Sequence, residues 1–113
     1  MEVTVILTTE EAESFLITAG EQGCGYWART RTEMRHAAHK PVKIHEMGDD
    51  GKIIESHTLT IDKLNLAIGK ILSAKVQISS SIAAQIAHDV EAIDSEAADA
   101  VVQVALFGEI RYG

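Results

Sequence analysis

The chain has 113 residues, of which 46% are hydrophobic and 24% are charged. This length and composition predict a single folded domain, residues 1–113, rather than a disordered chain. Seventeen acidic residues against ten basic ones give a net charge of −7, which argues against binding to duplex nucleic acid or to a membrane surface, because both depend on cationic side chains. No segment resembles a signal peptide or a membrane span, and the single Cys24 excludes an intramolecular disulfide, so we expect a cytosolic protein.

The first predicted elements are a strand and a helix. β-branched residues favour a strand over residues 1–7. Thr8 and Glu11 form a capping box, and the apolar residues after them recur at helical spacing to about Gln22.

The period of the sequence changes to two after Gly25. This alternation predicts a second strand, on which Trp27, Arg29 and Arg31 share one face. Residues 33–40 show neither helical nor strand periodicity, so we expect a mobile loop there, although its two neighbouring alanines would tolerate a helical turn.

A hairpin and three helices are predicted in the rest of the chain. Residues 42–47 and 52–59 flank a Gly-Asp-Asp-Gly turn. Thr60 caps a helix to about Leu72. A third helix follows the serines at 79–81, and a fourth begins at Asp94 or Ser95 and ends at Gly108. The third carries an apolar stripe of Ile82, Ile86, Val90 and Ile93. Residues 109–113 are expected to form a short strand or a tail. The predicted fold is α+β, an antiparallel sheet of about four strands with helices packed on one face.

Positive charge is concentrated in residues 29–43. This segment contains five cationic residues and one carboxylate, a local net charge of +4, which leaves a net charge of −11 for the rest of the chain. Two arginines beside Trp27 suit a small anionic ligand that contains a base, because guanidinium groups bind phosphate and an indole stacks on bases. The alternative is a solvated basic strand without a ligand. The cations are Arg29, Arg31, Arg35, Lys40 and Lys43.

Asp99 and Gln103 lie one turn apart on a fourth helix that is expected to be enclosed on most sides. A buried Asp99 needs hydrogen-bond donors, and the Arg, Tyr or Trp side chains of residues 25–31 are candidates. These groups belong either to a structural network or to a ligand site.

The sequence does not support a catalytic or metal site. Structural zinc usually requires four ligands in close pairs, and only His36 and His39 form one. Phosphate-loop and nucleophile-elbow motifs are absent, and Cys24 has no identifiable catalytic partners. We therefore expect a protein that is not an enzyme and that binds no metal or cofactor.

Two segments of the chain carry a resemblance. Residues 19–28 read AGEQGCGYWA and residues 98–113 read ADAVVQVALFGEIRYG. They resemble the Gly-rich segment before Tyr-Trp-Ala and the C-terminal ending of a widespread group of small proteins encoded by bacteriophages and prophages. The resemblance implies a phage accessory protein that counters immunity in the host cytoplasm.

Within that context we expect a non-cleaving "sponge" that sequesters a cyclic nucleotide or related immune signal. Trp27 would stack on a base, Arg29 and Arg31 would bind phosphate, the 33–40 loop would close over the ligand, and Asp99 with Gln103 would read it. The full set of expected ligand-binding residues is Tyr26, Trp27, Arg29, Arg31, Arg35, Lys40, Asp99 and Gln103.

Two further expectations follow. The acidic surface favours an alternative function, a protein that inhibits a host defence complex by mimicking nucleic acid or blocking a basic groove. A homo-oligomer is also expected, because alanine-rich stretches at 82–92 and 97–105 allow close approach of helices, although small residues also serve packing within one chain.

Overall fold

The computed structural model describes residues 3–89 and 93–113. It confirms an α+β fold, with four α-helices and, within the described residues, a three-stranded antiparallel sheet in the order β1-β2-β3. Val90, which was expected on the third helix, lies outside the described residues. Within them, no helix is both long and apolar enough to cross a bilayer.

The first helix, α1 (Thr9–Thr18), begins as predicted. Thr8 accepts a hydrogen bond from the backbone of Glu11, and the Glu11 side chain accepts one from the backbone of Thr8. The helix continues as a π-helical turn, Ala19–Gly23. Gly23 is needed at its end, because a Cβ atom there would lie 2.8 Å from the carbonyl oxygen of Ser95.

The predicted strand over residues 1–7 is wrong in its described part, which forms no ladder with another strand. Residues 3–7 instead run along the second helix, where Val3 N–H donates to Ser73 Oγ at 2.7 Å and Leu7 N–H donates to Asn65 Oδ1 at 3.1 Å. β-branched residues favour extended backbone, but a strand also needs a partner edge, which sequence periodicity does not provide.

The sheet is shorter than predicted at its first strand. Trp27 N–H and Ala28 N–H both donate to the carbonyl of Cys24, so residues 24–27 form a turn and β1 spans only Ala28–Arg29. The hairpin prediction is confirmed by β2 (Val42–Met47) and β3 (Ile53–Leu59), whose register contains one bulge near the turn.

The expected mobile loop is a packed element. Residues Met34–Ala38 form a 3₁₀ helix whose Met34, Ala37 and Ala38 side chains are buried. The element packs against α1. The 3₁₀ helix has three residues per turn and is only five residues long, so its apolar residues do not show the 3.6-residue period by which an α-helix is predicted.

The last three helices are α2 (Ile61–Leu72), α3 (Ser80–His88) and α4 (Ser95–Phe107). Thr60, Ser79 and Asp94 cap them in turn through side-chain oxygens. Gly108 ends α4 with a φ of +77°, a conformation that favours glycine. The prediction that α4 is enclosed is confirmed, since every residue over 97–104 is buried.

Candidate functional site

Asp99 lies inside a hydrogen-bond network between α4 and the turn before β1. Its Oδ1 accepts from the indole N–H of Trp27 at 2.6 Å and from Nε2 of Gln103 at 3.0 Å. Its Oδ2 accepts from the hydroxyl of Tyr26 at 2.5 Å. Burial and the Asp99 hydrogen bond raise the pKa of Tyr26, so its hydroxyl remains a donor. The expected Tyr and Trp donors are confirmed.

Gln103 extends this network to the C-terminal segment. Its Oε1 accepts from the backbone N–H of Arg111 at 2.8 Å and of Tyr112 at 2.9 Å, and its Nε2 donates to the carbonyl of Tyr112 at 3.1 Å. The side-chain amide of Gln103 therefore fixes the backbone of Arg111 and Tyr112 against α4. The network joins the two segments that carry the resemblance.

Trp27 is enclosed rather than presented to a ligand. Only 1% of the residue is exposed. Its ring stacks on Tyr112 at a centroid distance of 5.7 Å and meets Phe107 at 5.1 Å. The expected stacking of Trp27 on a base is therefore not available in this structure, because the ring is buried against Tyr112 and Phe107 and its N–H binds Asp99.

A second buried carboxylate, Glu46 on β2, fastens the C-terminal segment to the sheet. The Tyr112 hydroxyl donates to its Oε2, while Arg111 Nη1 donates to its Oε1 at 3.3 Å and His57 Nε2 lies 2.9 Å from that same oxygen. Burial by itself would raise the pKa of Glu46, but Tyr112, His57 and Arg111 together hold this pKa below its ordinary value. The sequence pattern did not indicate this cluster.

Glu46 also belongs to a group of possible metal ligands within the described residues. One donor atom each from Glu46, Glu55 and His57 lies within 4.8 Å of the other two. The Arg111 guanidinium and the Tyr112 hydroxyl already contact the Glu46 carboxylate. A metal ion would compete with these donors, so the geometry favours a structural role for Glu46.

A cleft of about 820 Å³ among the described residues runs along α4 and is called here the α4 cleft. Tyr26, Asp99 and Gln103 line it. The charged side chains among its described lining residues are Glu96 and Asp99, and both are acidic. An anionic ligand is disfavoured there, because these carboxylates would repel it.

A second, smaller cleft of about 500 Å³ lies on the exposed side of the sheet. Arg31, Lys40, Lys43 and His45 line it together with the uncharged residues 32, 41 and 42, and we call it the basic cleft. Lys43 and His45 alternate with buried residues along β2, which places both on the exposed face. No carboxylate is among the described residues that line this cleft.

Arg35 and Arg29 lie outside the basic cleft. The guanidinium of Arg35 pairs with Glu33 and lies 3.7 Å from a carboxylate oxygen of Glu13. Arg35 is thus occupied within the chain, and the 3₁₀ helix that carries it packs against α1. Arg29 is exposed and pairs in register with His45, so both side chains lie on the same face of the sheet.

Cys24 is sealed in the core. It is 1% exposed, and burial, followed by the nearby charge of Asp99, raises the pKa of its thiol. A nucleophilic cysteine needs a lowered pKa and access to solvent. Cys24 has neither property in this structure.

The predicted site residues therefore divide between two places. Tyr26, Trp27, Asp99 and Gln103 form one network at the α4 cleft, whereas Arg31 and Lys40 line the basic cleft. His45 was missed and Lys43 was noted only as part of the basic segment, although the period of two in β2 was a signal that placed both on one face.

Comparison of the chain with protein-family models, with curated proteins and with solved structures gives no match. The resemblance to phage proteins therefore stays a prediction.

Proposed function

We propose that this protein is a non-catalytic binding protein that sequesters a small nucleotide-type anion in the basic cleft. The observation that carries the proposal is the composition of that cleft. Three permanent cations and a histidine converge there without a carboxylate among the described lining residues. Its volume of about 500 Å³ lies within the range of small-molecule sites, about 300–1,000 Å³.

The cations of the basic cleft are available to a ligand. Arg35, which lies between Arg31 and Lys40 in the sequence, pairs with Glu33 and lies close to Glu13. By contrast, Arg31, Lys40 and Lys43 form no ion pair with any residue in the described part of the chain. A guanidinium with two free N–H edges suits a phosphate group, and the lysines add point charges.

The remaining parts of the proposal come from the resemblance. A phage protein with an anion site of this kind would act in the host cytoplasm by holding a cyclic nucleotide immune signal without cleaving it. Sequestration needs no catalytic groups, because tight binding alone lowers the free concentration of a signal.

A thermal-shift panel of cyclic di- and trinucleotides and cyclic ADP-ribose isomers tests the proposal. A ligand at a hundredfold excess over its dissociation constant stabilises the folded state by about 2.7 kcal/mol. Arg31→Glu and Lys43→Glu should abolish this shift. Lys52→Glu, the same charge change at an exposed position outside the cleft, should leave it intact.

Four outcomes separate the alternatives. Recovery of the bound nucleotide unaltered after heat denaturation would support sequestration, whereas a cleaved product would support an enzyme. No shift with any nucleotide would refute the proposed function. Loss of activity on reversing acidic surface residues, with Arg31→Glu still active, would instead support an inhibitor of a host protein complex.

A further inference from the structure

The strand β3 is a free edge of the sheet. β2 separates it from β1, and no other strand among the described residues pairs with its outer side. It is seven residues long and carries two consecutive exposed isoleucines, Ile53 and Ile54, which are 55% and 62% exposed. A long edge with apolar side chains is a template for pairing with another strand.

The register shows which backbone groups of β3 point outward. Met47 N–H donates to the Trp27 carbonyl, so the backbone groups of Met47 point towards β1. Backbone groups alternate in direction along a strand, so those of Glu46 and Ile44 point the other way, towards β3. Their register partners, Glu55 and His57, therefore face β2.

Ser56 and Thr58, which alternate with those residues, direct their backbone N–H and C=O groups away from the sheet. Lys63 Nζ donates to the Thr58 carbonyl at 2.6 Å, which confirms the direction and caps one end of the edge. Ser56, at the centre of the strand, is left open.

The strand is complementary to itself about Ser56. When two copies run antiparallel with Ser56 opposite Ser56, these two residues form a hydrogen-bonded pair. Glu55 of each copy then lies opposite His57 of the other in a non-hydrogen-bonded pair. In such pairs the Cα atoms are only about 4.5 Å apart, so the side chains are in contact.

This pairing would relieve an unfavourable contact within the single chain. Glu55 lies directly opposite Glu46 in the register, and like charges in that position destabilise a sheet. Glu55 has no ion pair with a described residue. His57 Nε2 lies 2.9 Å from Glu46 Oε1, and its other ring nitrogen, Nδ1, has no hydrogen bond to a described residue. In the paired strands, Glu55 of the second copy would lie directly opposite His57.

We propose that β3 pairs with β3 of a second copy of this chain and forms a two-fold symmetric, six-stranded antiparallel sheet. The part of the predicted helical interface that lies on α4 is unsuited to this role, because Ala97, Ala98 and Ala100 are buried within the chain; the α3 part, where Ala84 and Ala87 are exposed, stays a prediction. The dimer through β3 depends only on backbone groups and on the Glu55–His57 complementarity.

The pairing has a consequence that rests on the proposed function. His45, which lines the basic cleft, lies 2.7 Å from the hydroxyl of Ser56 through Nδ1. In this dimer Ser56 would lie at the two-fold axis, which is perpendicular to the sheet. Rotation about this axis keeps each face of the sheet on the same side, so both basic clefts would open on one face, one on each side of the axis. A ligand with two phosphate groups suits such an arrangement.

Light scattering after size-exclusion chromatography of the full chain, without any nucleotide, tests the interface. The wild type should be a dimer. Glu55→Lys should weaken dimerisation by about tenfold or more, because a lysine would replace the carboxylate that lies opposite His57 in both cross-strand pairs. Glu21→Lys, the same change at another exposed position, should leave the dimer intact. Lys63→Ala should strengthen dimerisation, because it uncaps the Thr58 carbonyl.

Ser56→Pro is a second variant that removes the outward N–H from the edge while proline remains tolerated at such positions. It should be monomeric, with circular dichroism showing that it is folded. A monomeric wild type at every concentration would overturn the proposal, as would a dimer that survives both Glu55→Lys and Ser56→Pro. Neither result depends on nucleotide binding, so the two proposals fail separately.

Discussion

Asp99→Ala removes the acceptor that Trp27, Gln103 and Tyr26 share. Trp27 and Gln103 are each 1% exposed, so their N–H groups cannot replace Asp99 with water, whereas Tyr26 is 59% exposed and can. A buried donor without an acceptor costs about 1–3 kcal/mol. Gln103 keeps its bond to the Tyr112 carbonyl, so we expect the free energy of unfolding to fall by about 2–4 kcal/mol rather than by the full sum.

Urea unfolding measured by the fluorescence of Trp27, the only tryptophan, gives this quantity directly. Tyr26→Phe removes the solvent-accessible donor alone and should cost about 1 kcal/mol or less. Glu96→Ala changes an exposed carboxylate on the same helix and should fall within about 0.5 kcal/mol of the wild type.

A cost of less than about 1 kcal/mol for Asp99→Ala, or a cost of Tyr26→Phe as large as that of Asp99→Ala, would contradict these expectations. Either result would mean that burial of the two N–H donors does not set the energy of the network. A stable Asp99→Ala variant that loses affinity for a nucleotide would restore the role of Asp99 as a ligand contact.

Three further predictions concern buried groups. The pKa of Glu46 is lowered in the folded chain, so the ionised carboxylate stabilises the fold above the ordinary carboxyl pKa, and this stabilisation is lost as the pH falls through the folded pKa. Glu46→Gln should therefore lower the urea midpoint at neutral pH, and the midpoint of this variant should fall less steeply in acid than that of the wild type. Cys24, with its buried thiol and raised pKa, should react with a disulfide reagent only at the rate of unfolding, and fast labelling of the native protein would contradict its burial. Gly23→Ala should cost about 1–3 kcal/mol by thermal denaturation, because its Cβ would lie 2.8 Å from a backbone oxygen, whereas Gly25→Ala meets no atom within 4 Å and serves as the matched control.

Sequence reasoning succeeded where the signal is local. The capping box at Thr8, the Gly-Asp-Asp-Gly turn and the left-handed Gly108 each act within a few residues of the chain, and the structure confirms the helices and the hairpin they delimit. The paired donors of Asp99 were also predictable, because a polar residue on an enclosed helix must find partners.

The tertiary structure decided what depends on distant partners. Residues 3–7 have strand-like composition but lie on α2, and Trp27 belongs to a turn that directs its ring to Tyr112 rather than to a ligand. Arg31 and Lys40 share a cleft, yet Arg35 between them in sequence is paired with glutamates. The sequence by itself therefore determined the helices, the hairpin and the concentration of positive charge. Only packing decided which cations stay free, because ion pairing and burial depend on neighbours that are remote along the chain.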